Sequence, residues 1–239
     1  SPKTAVGVSK DGKKLYLVTV DGRQTASIGM SQKEMAQFMK SIDAYNAINM
    51  DGGGSTTMVA RPMGSKNVAI LNKPSDGSPR NVSVGIGVFT SAPKASLAGL
   101  IVETTDRYMF TNTTRAFTVK GYDEYNNPID VDPASVEWSV SGVKGSFEGN
   151  VFKPTTFGEG KITASVGNIK GSLDISVLSR PSVIQLSSDS IKLAVGQTKK
   201  FTIKGINPRG YTATIEPTDL IWKVSSDIGT FKDGVFTAT

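Results

Sequence analysis

The chain has 239 residues, enough for one large domain or two to three small ones with sizeable cores. It holds neither Cys nor His, which excludes disulfide frameworks, thiolate chemistry, imidazole ligands and every Ser-His or Cys-His catalytic arrangement; catalysis here must come from carboxylates, hydroxyls, amides, Lys or Arg. No apolar run approaches the roughly 18 residues of a membrane span, and 38% hydrophobic with 20% charged residues is ordinary for a globular chain. The net charge is +6, and almost all of it lies in residues 1–92, with 11 Lys+Arg against 6 Asp+Glu, while residues 93–239 carry 16 against 15. Such a surplus is either a solvated surface or the footprint of an anionic ligand.

In chain order, the alternation of residues 4–8 and 14–20 predicts two strands, with turns at Asp11-Gly12 and Asp21-Gly22. A helix is expected from about Gln32 to Ile42. Ser31 and Glu34 have capping-box spacing, and Met35, Phe38, Met39 and Ile42 fall on one face. A buried strand is expected over Ala44 to Met50, followed by Asp51-Gly52-Gly53-Gly54-Ser55-Thr56-Thr57, then by strands near 58–60, 68–71 and 81–89. Three glycines directly after a strand suggest backbone with positive φ, or N–H groups that a ligand must approach; a plain tight turn is the other reading. The run lacks the Lys-Ser/Thr ending of a nucleotide loop.

Of the six carboxylates in this segment, Asp11 and Asp21 sit in Asp-Gly turns, Glu34 serves the capping box and Asp43 follows the helix. Asp51 and Asp76 remain, both in Gly- and Ser-containing loops. Two carboxylates are the usual minimum for glycoside hydrolysis.

A Pro/Ser/Ala stretch at 91–96 reads as a linker. Beyond it the chain repeats at an offset of 84: Phe117-Thr118-Val119-Lys120-Gly121 matches Phe201-Thr202-Ile203-Lys204-Gly205, and Pro133, Trp138, Gly145, Phe147, Val151 and Phe152 match Pro217, Trp222, Gly229, Phe231, Val235 and Phe236. Each copy shows short alternating strands broken by turn residues, with one Trp as a core anchor, the pattern of an antiparallel sandwich. The copies are expected over 97–178 and 183–239. The second has no counterpart of the first copy's last strands, so it is expected to be incomplete.

Two resemblances follow. The repeats resemble bacterial immunoglobulin-like domains of surface and S-layer-associated proteins, through Ser182-Val183-Ile184-Gln185-Leu186 and Leu193-Ala194-Val195-Gly196-Gln197-Thr198. Residues 1–92 resemble the phosphodiester glycosidase family in four blocks that occur in family order: residues 2–8, 20–24, 49–58 and 72–83. That resemblance implies hydrolysis of a sugar-1-phosphodiester, with Asp51 and Asp76 as catalytic carboxylates. It also implies substrate contacts from Lys3, Asn49, Gly52, Gly53, Gly54, Ser55, Thr56 and Arg80, with Gly52 to Gly54 offering backbone N–H groups. Asp76 has a second reading, as the organiser of the Arg80 loop. The family usually has Arg where this chain has Lys3, and its domain begins upstream of this block.

The expected architecture is therefore multidomain, with the C-terminal part of an α+β phosphodiester glycosidase-like domain at 1–92 followed by two all-β immunoglobulin-like sandwiches. The expected setting is secreted or at a bacterial cell surface, acting on a phosphorylated carbohydrate or surface glycan, without cofactor, metal, nucleic acid or membrane insertion. An upstream fragment of the same protein, or a second copy, is expected to cover the first sheet, and the isolated chain is expected to be nearly inactive. The repeats are expected to take no part in the reaction. The rival reading is a non-catalytic adhesin or scaffold carrying a degenerate glycosidase segment.

Overall fold

The computed structural model describes residues 1–224 and 227–239. The described residues are rich in β-sheet, with one α-helix and several short sheets among them, and the chain divides into two compact units, residues 1–92 and 93–239.

In the first unit, β1 (Lys3–Val8), β2 (Leu15–Val20) and β3 (Asn46–Met50) form an antiparallel sheet in the order β2-β1-β3. Helix α1 (Gln32–Ser41) packs on one face of it, burying Met35 and Met39 against Ala5, with Tyr16, Val18 and Ile42 around them. The capping box forms as its spacing predicts: the Ser31 hydroxyl accepts the Glu34 N–H at 3.2 Å, and the Glu34 carboxylate accepts the Ser31 N–H at 2.7 Å. Gly7 lets the helix sit close, since a Cβ there would stand 2.6 Å from the Met39 terminal methyl. Asp43, with φ of 64°, follows the Ile42 cap. A two-strand ribbon, β4 (Val59–Ala60) with β5 (Ala69–Ile70), completes the regular structure of this unit.

Two expectations for this unit need correction. The strand over 44–50 starts at Asn46 and is exposed, because β3 is an edge strand and α1 covers only one face; Ile48, on the other face, is 65% exposed. Residues 81–89 form no strand. Val82, Val84, Ile86 and Val88 do alternate, but no neighbouring strand receives their backbone groups, and all four side chains are exposed, as is Phe89 at 94%.

The second unit opens with β6 (Leu97–Glu103), β7 (Tyr108–Phe110), β8 (Arg115–Ala116), β9 (Thr118–Asp123) and β10 (Pro128–Ile129). It continues with β11 (Glu137–Ser141), β12 (Gly145–Glu148), β13 (Val151–Pro154), β14 (Gly158–Val166) and β15 (Ile169–Leu178). These strands form sheets β10-β9-β6, β11-β14-β15-β7 and β12-β13-β8 around one core that includes Leu100, Val102, Phe117, Phe152, Ile162 and Ile175. The half-buried Trp138 packs on that core between Phe117 and Phe147.

The second repeat has β16 (Val183–Leu186), β17 (Thr198–Lys200), β18 (Ile203–Ile206), β19 (Thr212–Ile215), β20 (Gly229–Lys232) and β21 (Val235–Ala238), in sheets β16-β18-β19 and β17-β21-β20. Trp222 stacks on Phe231 with ring centroids 3.8 Å apart and donates its indole N–H to the Pro217 carbonyl. Among the described residues of this repeat there is no counterpart of the β14–β15 hairpin, and the exposure of equivalent residues differs. Ile184 is 49% exposed, whereas Leu100, at the equivalent position of the first repeat, is 5% exposed.

The two repeats share a core. Phe110 and Leu178 of the first are buried with Ile203, Ala213 and Ile215 of the second. Polar contacts surround this junction: the buried Arg115 guanidinium donates to Glu216 at 2.7 Å, to the Thr214 carbonyl at 2.6 Å and to the Thr105 hydroxyl at 3.1 Å. The Asp219 carboxylate accepts the Thr114 N–H and hydroxyl at 2.7 and 2.9 Å, and Asp106 accepts the Thr214 N–H at 2.9 Å.

Candidate active-site loop

Strand β3 delivers Met50, paired with Thr4 of β1, and the chain then leaves the sheet at Asp51 into the glycine run. Residues 53–55 make a single short turn, and the Thr56 N–H closes on the Gly53 carbonyl at 3.2 Å. A different neighbour crowds each glycine. A Cβ on Gly52 would stand 2.7 Å from the Pro2 carbonyl oxygen, and one on Gly53 3.3 Å from a terminal nitrogen of Arg23; one on Gly54 would collide with the Asp76 carboxylate and the Arg80 guanidinium. Gly53 also adopts a φ of 63°. Both physical reasons for a glycine run, left-handed backbone and close approach, therefore operate here.

The expected cradle of three free N–H groups is not what the loop offers. The Gly52 N–H is held by its own neighbour, the Asp51 carboxylate, at 2.9 Å, and the Gly53 N–H by the Pro2 carbonyl at 3.2 Å. The glycines serve instead to let charged side chains approach the main chain. Arg80 Nε donates to Asp76 Oδ2 at 2.5 Å, with both side chains partly exposed, so Asp76 fixes the guanidinium that lies against Gly54.

Asp51 and Ser55 line a cavity of about 550 Å³ on the face of the sheet opposite α1, together with Thr4, Val6, Leu17 and Met50 and with residues 81–86. Its size is that of a small-ligand site. Lys3 and Asn49 do not line it: in the pleat they share the α1 side with Ala5, and their side chains donate to the Ser1 hydroxyl at 2.9 Å and to the Met50 carbonyl at 3.0 Å. Thr56 is also withdrawn. It is 1% exposed, and its hydroxyl accepts that of Thr4 at 3.2 Å, so it supports the loop from within.

Two residues outside the sequence-based set stand at the cavity or against the glycine loop. The Thr57 hydroxyl is buried without a hydrogen-bond partner among the described residues, and Thr57 lines the cavity. Arg23 lies over Gly53; its only trace in the sequence was its place in one of the four blocks, in what otherwise reads as an ordinary Asp-Gly turn.

Comparison with known proteins agrees with the four-block resemblance. Residues 1–89 match the family model of the phosphodiester glycosidases. Proteins named N-acetylglucosamine-1-phosphodiester alpha-N-acetylglucosaminidase are similar over 76 residues: 43% identical in Mus musculus, 45% in Bos taurus and 42% in Homo sapiens. Each alignment covers 32% of this chain and 13% of the relative, so the chain spans a small part of the length of the curated relatives it matches. Among solved structures, domains 4 and 5 of the S-layer protein SbsC align with 49% of this chain and 70% of theirs, at 16% identity and a TM-score of 0.32. Domains 1–6 of the same protein align with 87% of this chain and 39% of theirs, at 12% identity and the same score. No described helix is long and apolar enough to cross a membrane.

Proposed function

We propose that residues 1–92 carry the active-site loop of a phosphodiester glycosidase that releases a sugar from a sugar-1-phosphodiester, of the N-acetylglucosamine-1-phosphodiester kind, in a surface glycan or glycoconjugate. The observation that carries this reading is the loop itself: Asp51 opens into the cavity, and the adjacent glycines admit an ion-paired arginine to the main chain. Water adds to the anomeric carbon, the bond from that carbon to the phosphate oxygen breaks, and the leaving phosphomonoester keeps that oxygen and gains a proton. Asp51 is the carboxylate that works at the anomeric carbon, where positive charge develops as the bond breaks. Arg80, with only its Nε engaged by Asp76 among the described residues, keeps both terminal nitrogens for phosphate oxygens.

On this reading the repeats are immunoglobulin-like sandwiches that display the domain at a bacterial surface and stay outside the chemistry, with Trp138 and Trp222 as packing residues. The internal repeat and the aromatic packing around each Trp support it. The exposed Ile48, outside the cavity at the sheet edge, is where further chain or a second copy completes the domain.

The test is release of free sugar and phosphomonoester from an N-acetylglucosamine-1-phosphodiester by the full-length protein. Asp51→Asn is expected to lower kcat by at least about a hundredfold with folding unchanged. Full turnover by that variant would remove Asp51 from the mechanism, and no sugar release by the wild type would leave the scaffold reading.

A further inference from the structure

The turn that bears Arg23 is tied down at several polar groups. The Asp21 carboxylate accepts from the Asn72 side chain and from the Lys73 N–H, both at 3.0 Å. The Gln24 amide donates to the Lys73 carbonyl at 2.6 Å, the Ser27 hydroxyl donates to the Asp21 carbonyl at 2.6 Å, and Gln24 and Ser27 exchange backbone hydrogen bonds. Arg23 sits in the middle of this network with a φ of 57°, a left-handed backbone that is uncommon for a residue with a side chain and concentrates at binding sites. Yet its guanidinium is exposed and, among the described residues, makes no hydrogen bond or ion pair. A turn held this firmly in a strained conformation to present an unpaired cation needs a reason outside the turn.

The geometry over the glycines supplies one. From the position of a Gly53 Cβ, both terminal nitrogens and the central carbon of Arg23 stand at 3.3, 3.5 and 3.6 Å, so the guanidinium lies against the loop with its terminal nitrogens nearest the main chain. The Arg80 guanidinium lies against Gly54, the next residue, through its central carbon and Nε. Asp76 already serves Arg80, while no described residue serves Arg23, so an anion is the complement that this loop lacks.

We propose that Arg23 and Arg80 form a clamp on one phosphodiester group, Arg23 from the side of Gly53 and Arg80 from the side of Gly54. The assignment deepens the glycosidase reading and rests on it. Each arginine offers a planar fork to a non-bridging oxygen, and the ordering of the Arg23 turn is completed before the ligand arrives. Lys3, whose ammonium is hydrogen-bonded to Ser1 on the α1 side of the sheet, stands apart from this clamp.

The test compares wild type, Arg23→Gln, Arg23→Lys and the distant control Lys10→Gln, all in the full-length protein. KM and kcat are measured with an N-acetylglucosamine-1-phosphodiester and the inhibition constant with inorganic phosphate, and thermal unfolding is followed in parallel. The clamp predicts that Arg23→Gln raises both KM and the phosphate inhibition constant at least tenfold at an unchanged melting temperature. Arg23→Lys should recover only part of the loss, and Lys10→Gln should match wild type. Hydrolysis with unchanged KM and phosphate inhibition in Arg23→Gln would overturn the clamp and leave the glycosidase reading standing, and full recovery by Lys would overturn the planar-fork argument. If Arg23→Gln fails to fold, Arg23→Lys decides alone: wild-type constants refute the clamp. A wild type that releases no sugar overturns both readings.

Discussion

Asp123 and Asn207 occupy the same place in the two repeats and solve the same problem with different chemistry. One Asp123 oxygen accepts the N–H groups of Tyr125 and Asn127, closing the turn between β9 and β10, and the other accepts the Ala95 N–H, tying down the segment that leads into the first repeat. Asn207 closes its turn in the same way on Arg209 and Tyr211, but it presents an N–H on the other side, 3.5 Å from the Ser179 hydroxyl. A donor at 95 requires a carboxylate, and a hydroxyl at 179 accommodates an amide. Burial raises the Asp123 pKa, but the hydrogen bonds from Ala95, Asn127 and Tyr125 outweigh it, and the net shift is downward. The stabilisation it brings is therefore fully present above the unfolded value of about 4 and is lost as pH falls through the lower folded value. Thermal melts between pH 7 and 2 should show Asp123→Asn less stable at neutral pH yet flatter on the acid side, and adding Ala95→Ser should recover part of the neutral loss. An acid limb as steep as the wild type's would mean that another group controls it.

At the scale of elements, α1 holds the first sheet through Met35 and Met39. Met39→Ala leaves a cavity against Gly7 and Ala5 and is expected to lower the stability of this unit by about 2–5 kcal/mol, read from denaturant unfolding with the second unit's transition as internal reference. This helix was legible because its signals are local: Ser31 and Glu34 lie three residues apart, and the buried methionines four. Strands β1 and β2 were legible for the same reason. The alternation at 81–89 was equally clear, but alternation reports only that a segment suits a sheet, and pairing depends on a neighbour that no local pattern reveals. In the loop, Asp51 stood out by its position between strand and glycines, and it lines the cavity. Arg23 did not stand out, because its role depends on hydrogen bonds to residues 72 and 73, some fifty positions away in sequence. Thr56 misled for the opposite reason, since a hydroxyl beside glycines looks available until the fold buries it.

Across the second unit, the two repeats are joined by more than a linker. Glu216 partners the buried Arg115 guanidinium, whose Nε already lacks a hydrogen-bond partner among the described residues. Removing the carboxylate by Glu216→Ala strips a charged hydrogen bond from a group that cannot reach water, at an expected loss of about 1.5–3 kcal/mol, moderated by the partial exposure of Glu216. The wild-type pair should melt in a single transition, and this variant should separate it into two in calorimetry. A single unchanged transition would show that the shared core, not the ion pair, couples the repeats.

Phe110 gives that coupling a mechanical meaning. Its ring, contributed by the first repeat, presses on Gly205 and sits among the interior side chains of the second. Bending the pair at its junction therefore requires extracting an aromatic plug from its socket and exposing it to water, so the two repeats resist flexing as a strut does and not as beads on a string. A pull along the chain would be borne by this plug and the Arg115 contacts together, and the first event under load should be uncoupling at the junction, ahead of unravelling inside the well-packed first repeat.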